Sequence, residues 1–225
     1  MADPLDASTG PGGAEPSGPP RAGLRLDPGE LSGRDRYQLM TSLVGPRPIG
    51  WLSTWGPDRV ANLAPFSYFA ALSVAPMLVG VSIGMRRDEL KDSIVNIRHR
   101  DAFCVNVVTE ELLEAMNESS ATVAPDVDEF ELAGLTKVPS DRVDAPFVAE
   151  AAAVLECEVR QEVDIGAPNA LVIAEVVGVR LDPDLPMEEG TMIVSPEALG
   201  LVGRLGGPTY AVATDLRRVP RPERR

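Results

Sequence analysis

The chain has 225 residues, of which 44% are hydrophobic and 24% are charged, and its formal net charge is -13. These values are typical of a soluble globular protein with a sizeable core, and the negative charge argues against nucleic acid and anionic membranes as partners. No apolar run has the length of a membrane span, and the N-terminus lacks the features of a secretory signal. We therefore expect a cytoplasmic protein.

The two ends of the chain differ in composition from its middle. Residues 1–23 are rich in Pro, Gly, Ala and Ser and predict a disordered tail, because they cannot bury enough apolar surface to offset ordering. Residues 214–225 combine arginines with prolines and predict a frayed basic tail. The folded domain is predicted to span residues 24–213.

The only cysteines, Cys104 and Cys157, lie in apolar runs. They predict buried free thiols, which suit a reducing cytosol. Two distant cysteines and a single histidine, His99, cannot form a zinc site.

Hydrophobic periodicity and Gly/Pro punctuation predict the elements in chain order. Helices are predicted at 35–44, 88–98 and 110–119, with a short helix near 129–133 inside an irregular acidic stretch. Pro46 and Pro48 predict extended backbone between the first helix and the first strand. Strands are predicted at 49–54, 60–63, 77–83, 102–108, 152–164 and 170–181. Together they predict a mainly β (α+β) fold, a β-barrel with peripheral helices.

The segment from Asn62 to Phe69 has an unusual composition. It combines polar side chains, a proline that cannot donate to a strand ladder, and three large aromatic residues. A core strand would not be expected to use these groups. We therefore predict that the segment contacts a flat, part-polar ligand.

The run Gly80-Val81-Ser82-Ile83-Gly84 matches the G-x-S-x-G pattern of serine hydrolases. That chemistry needs a histidine base close to the serine. The only histidine, His99, follows one helix later, without the acid that the hydrolase chain order places between the two residues. A hydrolase using Ser82 therefore stays as an alternative that the sequence does not favour.

The segment Lys91-Asp92-Ser93 contains one of only two lysines in an arginine-rich chain. A lysine in this setting indicates a use for its compact charge. With the Ser67 and Ser82 hydroxyls it predicts a phosphate site, to which one lysine at about 4 Å would contribute roughly 4 kcal/mol at an effective dielectric near 20. Arg47 lies in a rigid extended run, which predicts contact with an electron-rich heterocycle.

Taken in order, these segments resemble the flavin reductase-like proteins with an FMN-binding split barrel. The match covers about residues 35–211, and later segments, including Asp128-Glu129-Phe130 and the stretch from Gly203 to Tyr210, resemble the flavoredoxin branch of that family. The early segments that carry the resemblance are Gly45-Pro46-Arg47-Pro48-Ile49, Trp51-Leu52-Ser53-Thr54, Asn62-Leu63-Ala64-Pro65-Phe66-Ser67-Tyr68-Phe69, Lys91-Asp92-Ser93 and Phe103-Cys104-Val105-Asn106.

The resemblance implies a homodimer with FMN near the subunit interface, and it implies a set of binding residues. Arg47 and Thr54 would lie near the ring and the ribityl chain. The residues expected along the flavin are Asn62, Ala64, Pro65, Phe66 and Ser67, and those expected at the phosphate are Ser82, Ile83, Lys91, Asp92 and Ser93.

The implied function is an NAD(P)H:flavin reductase that supplies reduced flavin to a partner such as a monooxygenase. Hydride transfer from NADH or NADPH to FMN is cofactor chemistry, so no catalytic side chain is expected. A flavoredoxin-type FMN carrier, reduced by a partner protein, is the alternative.

Overall fold

The computed structural model describes residues 23–85, 89–166 and 169–222. The disorder predicted for the N-terminal tail therefore falls almost wholly outside the described residues, as does Asp88, where a helix was predicted to start. The chain divides into two compact units, Met1–Tyr37 and Gln38–Arg225. The predicted boundaries at residues 24 and 213 stay predictions.

The first unit is mostly exposed and ends inside helix α1 (Gly33–Leu43), close to the predicted 35–44. Ser32 fixes the start of this helix. Its hydroxyl accepts a hydrogen bond from the Asp35 amide at 3.1 Å and donates one to the Asp35 carboxylate at 2.7 Å. The first of these bonds satisfies a backbone N–H that a helix start leaves unpaired, and the second joins the two side chains.

The second unit is built on strands. The strands are β1 (Arg47–Pro48), β2 (Gly50–Trp55), β3 (Ala61–Phe66), β4 (Phe69–Val74), β5 (Met77–Ile83), β6 (Ala102–Asn106), β7 (Lys137–Pro139), β8 (Pro146–Val148), β9 (Ala153–Asp164), β10 (Ala170–Leu181), β11 (Val202–Arg204) and β12 (Tyr210–Val212). Seven of them form one antiparallel sheet in the order β3-β2-β6-β9-β10-β5-β4. Two small sheets accompany it, with orders β1-β11-β12 and β7-β8.

Short helices surround the sheets. They are α2 (Asp92–Arg100), a 3₁₀ helix (Glu110–Leu112), α3 (Leu113–Glu118), α4 (Glu129–Leu132) and α5 (Pro196–Leu199). None of the helices in the described parts of the chain is long and apolar enough to cross a membrane.

The large sheet curves around a core. Phe66 from the first strand of the order and Val81 from the sixth belong to one buried cluster, together with Ile94 and Ile97 of α2. A second cluster includes Trp51, whose indole N–H donates to Ser119 Oγ at 2.9 Å. Because Ile94 and Ile97 belong to the first cluster, helix α2 covers the face of β2 and β3 that carries Thr54 and Asn62.

Most predicted elements are present, and β5 and β10 have the predicted bounds. Strand β4 and the small strands near the C-terminus were not predicted. The prediction that Asn62 begins a segment unsuited to a core strand is wrong, because β3 is largely buried and continues to Phe66. Pro65 is tolerated because β3 lies at an edge of the sheet order.

Candidate functional site

A buried polar network joins β2 and β3 to the first turn of α2. The Ser93 hydroxyl donates to Asn62 Oδ1 at 2.8 Å, and the Thr54 hydroxyl donates to the same oxygen at 3.4 Å. Asn96 Nδ2 in turn donates to Thr54 Oγ1 at 3.0 Å. Three predicted site residues thus lie together, and the proton of the Ser93 hydroxyl is used inside the protein.

Glu129 completes this network from helix α4. Its carboxylate accepts from Asn62 Nδ2 at 2.9 Å and from the Leu63 amide at 3.0 Å, and the residue is only 5% exposed. Burial raises the pKa of Glu129, the hydrogen bonds that its carboxylate accepts oppose the rise, and the nearby Asp92 carboxylate adds a smaller increase.

The sequence did not single out Glu129. Asp128 accepts a hydrogen bond from the Phe130 amide at 2.9 Å and so fixes the start of α4. Phe130 is fully buried, which anchors the helix. The available signal was Asn62 itself, since a polar side chain on a buried strand needs a partner.

Lys91 and Phe66 connect the same two elements at a second point. The Lys91 ammonium lies 5.0 Å from the centroid of the Phe66 ring, within cation–π range. Lys91 is also the N-cap of α2 and makes no side-chain cap hydrogen bond. A cation beside the amides of a first helical turn favours an anion.

Arg47 links the residue that follows β3 to the end of α1 and to the segment that follows β11. It is 7% exposed, and its Nε donates to Ser67 Oγ at 3.4 Å. Its Nη1 donates to the carbonyls of Thr41 at 2.6 Å and Val44 at 2.9 Å, and its Nη2 donates to the Leu205 carbonyl at 3.1 Å. Because Ser67 accepts from Arg47, that bond leaves the Ser67 hydroxyl proton available to a ligand.

Ser82 and Ile83 lie at the end of β5. The Ser82 amide donates to the Tyr68 carbonyl at 2.8 Å, and Ser82 pairs with Leu171 of β10. Ser82 is therefore a strand residue and not the sharp turn that a hydrolase nucleophile needs, so the hydrolase alternative loses its support. Ile83 is buried in the core, which leaves only its backbone for a ligand.

Next to the network is a cavity of about 390 Å³ that we call the acidic cavity. Of the predicted phosphate segment, Asp92 lines this cavity, Ser93 is buried against Asn62, and only Lys91 offers a positive charge. The acidic cavity is lined by the acids Asp58, Asp92, Asp126 and Glu129, and by Asn62 and Asn96 among others.

The predicted ligand contacts Ala64, Pro65 and Ser67 are all half-buried. Ala64 shares one face of β3 with Asn62 and Phe66, because alternate strand residues point the same way. In the described residues there is no cluster of three or more His, Cys, Asp or Glu that could hold a metal ion.

The chain is similar to known proteins over most of its length. Residues 43–196 match the model of the flavin reductase like domain. A protein of Halalkalibacterium halodurans is 37% identical over 193 residues, which are 83% of this chain and 91% of that protein.

Two solved structures extend the comparison. Nitrilotriacetate monooxygenase component B from Bacillus cereus has a TM-score of 0.83 at 30% identity, covering 88% of this chain and 99% of that one. A Shewanella frigidimarina protein described with a split barrel domain has a TM-score of 0.76 at 24% identity, covering 89% and 100%. The split barrel fold is thereby confirmed, and the chain belongs to the flavin reductase-like family of flavin-related oxidoreductases.

Proposed function

We propose that the protein is an FMN-binding NAD(P)H:flavin reductase that supplies reduced flavin to a monooxygenase. The observation that carries this proposal is the Lys91–Phe66 contact, which brings a cation and the first turn of α2 to the end of β3. The family membership supports the reductase activity. The similar Bacillus cereus protein, a monooxygenase component, supports the choice of partner.

The donor set at this place fits FMN. Lys91 and the first-turn amides of α2 would hold the dianionic phosphate, and Ser67 would offer its hydroxyl proton to the flavin. Pro65, which is half-buried, supplies apolar surface next to these donors, and the buried Phe66 ring contacts the Lys91 ammonium. Arg47 would hold Ser67 in place from behind.

Bound FMN supplies the hydride acceptor, with NADH or NADPH as the reductant. The protein then contributes binding and orientation, for which it needs no acid–base pair. Its thiols do not take part, because burial raises the pKa of Cys104 and raises that of Cys157 to about 12. Buried free thiols also suit the reducing cytoplasm, where we place the protein.

A second copy of the chain would complete the assembly. Strand β4 ends the sheet order, and around its turn to β5 the apolar side chains of Leu72, Val74 and Met77 are 48%, 88% and 48% exposed. An exposed apolar edge strand is a site for pairing. This edge supports a homodimer.

The test is an FMN titration followed by flavin absorbance and fluorescence, with NADH and NADPH oxidation assays. Lys91→Met should weaken FMN binding at least about tenfold, because one charge near a phosphate contributes up to roughly 4 kcal/mol before desolvation. Arg98→Met is the matched control, since Arg98 is an exposed cation of the same helix that pairs with Glu162. It should leave the affinity unchanged.

Absence of FMN binding by the unaltered protein at micromolar concentration would refute the proposal. Tight FMN binding without oxidation of NADH or NADPH would instead support the flavoredoxin-type carrier. Equal losses in Lys91→Met and Arg98→Met would show that Lys91 has no specific role at the phosphate.

A further inference from the structure

Glu129 determines the direction of the hydrogen bonds around Asn62. Both donors that reach the Glu129 carboxylate are N–H groups, one from Asn62 Nδ2 and one from the Leu63 backbone. A reversed Asn62 amide would place its oxygen against the carboxylate, acceptor against acceptor. The carboxylate therefore holds Nδ2 towards α4 and Oδ1 towards α2.

That orientation dictates what Ser93 can do. With Oδ1 facing α2, the Ser93 hydroxyl must donate to it, as the 2.8 Å contact shows. The Thr54 hydroxyl donates to the same oxygen and accepts a hydrogen bond from Asn96 Nδ2. The Ser93 hydroxyl thus links the first turn of α2 to β3 by a hydrogen bond, and its proton is not available to a phosphate.

The two elements joined in this way are those that carry the proposed flavin contacts. Strand β3 leads to Ser67, and the first turn of α2 begins at Lys91. Glu129 is buried and lies on a third element, and its carboxylate is hydrogen-bonded to β3 through Asn62 and Leu63. Its effect on a ligand would be transmitted through the spacing of β3 and α2.

We propose that Glu129 is a positioning residue of the flavin site, which acts through Asn62 and Ser93 to hold the start of α2 against β3. This inference rests on the proposed function. In this role the Ser93 hydroxyl binds Asn62 inside the protein, whereas a direct role would require it to contact the phosphate.

The test uses a pair of reciprocal substitutions in the full chain. Glu129→Gln has one acceptor oxygen for two N–H donors, so either one donor is left unpaired or the Asn62 amide turns over and the Ser93 bond reverses. The double variant N62D/E129Q restores every partner, because the introduced glutamine amide would donate to the new carboxylate and accept from the Leu63 amide. The carboxylate at position 62 would still accept from Ser93.

We expect Glu129→Gln to weaken FMN binding about three- to tenfold, the range expected for one mispaired hydrogen bond. The double variant should bind FMN more tightly than Glu129→Gln, because its hydrogen-bond partners are restored. Glu131→Gln is the control, because Glu131 lies on the same helix with 78% of its side chain exposed. It should bind FMN normally. The absorbance maximum of bound flavin should shift in Glu129→Gln and return in the double variant.

Melting of each apo-protein separates a loss of fold from a loss of affinity. An affinity of Glu129→Gln within twofold of the unaltered protein would overturn the inference, as would an equal loss in the single and double variants. If Glu129→Gln does not fold, Ser93→Ala tests the hydrogen bond between α2 and β3. This variant should weaken FMN binding about threefold. An unchanged affinity would again overturn the inference. Failure of the unaltered protein to bind FMN is a different result, which removes the proposed function itself.

Discussion

Replacement of Arg47 by methionine should lower the free energy of unfolding by about 2 to 4 kcal/mol. The guanidinium makes four hydrogen bonds, to the carbonyls of Thr41, Val44 and Leu205 and to the Ser67 hydroxyl. Hydrogen bonds to charged groups contribute about 1.5 to 3 kcal/mol each, so their simple sum is roughly 6 to 12 kcal/mol. Two effects reduce it: water reaches the part-buried acceptors, and removal of the cation ends its desolvation cost.

Urea unfolding followed by tryptophan fluorescence measures this change. Arg160→Met is the matched control, because Arg160 is half-exposed and its 2.8 Å pair with Glu175 lies at the surface. That pair should contribute no more than about 1 kcal/mol. If Arg47→Met and Arg160→Met lose the same stability, the four hydrogen bonds of Arg47 contribute no more than a surface ion pair does. Arg47→Lys should recover only part of the loss, since an ammonium cannot reproduce the planar fork.

Three further results are expected. Burial raises the pKa of Glu129 above its value in the unfolded chain, so the folded protein binds the extra proton more tightly and is stabilised as pH falls through that window; urea unfolding at several pH values should show that this gain is lost in Glu129→Gln, and an equal gain in both proteins would contradict the assignment. Cys104 and Cys157 should resist a thiol reagent at pH 8 in the native protein and react only on unfolding, since burial raises both pKa values; fast native labelling would contradict their burial. Val74→Asp should yield monomers in analytical ultracentrifugation, whereas an unchanged dimer would place the interface elsewhere.

The sequence predicts best the strands whose local composition is sufficient to specify a strand. Strands β5 and β10 are nearly unbroken aliphatic runs, and their ends are found where predicted. Strand β4 was missed because Phe69–Val74 has no clear alternation and most of its residues are exposed. Its pairing with β5 is what makes it a strand.

The site shows the same limit. Local composition indicated that residues 62–67 and 91–93 are special, and the structure brings both segments together. It could not indicate that Asn62 bonds to Glu129, because 67 positions separate them and no local pattern encodes the pairing. For the same reason the direction of the Ser93 hydroxyl bond was not predictable. A serine in this segment suggested a phosphate contact, whereas its proton goes to Asn62.

The strand order also bears on the sequence of events during synthesis. The β2–β3 and β4–β5 hairpins are made early and one after the other, yet the finished sheet separates them by β6, β9 and β10. Strand β10 ends at Leu181, so it leaves the ribosome long after Lys91 does. A nascent chain therefore carries every proposed flavin contact before the strands that complete the sheet are made, and we expect stable flavin binding only after β10 is complete.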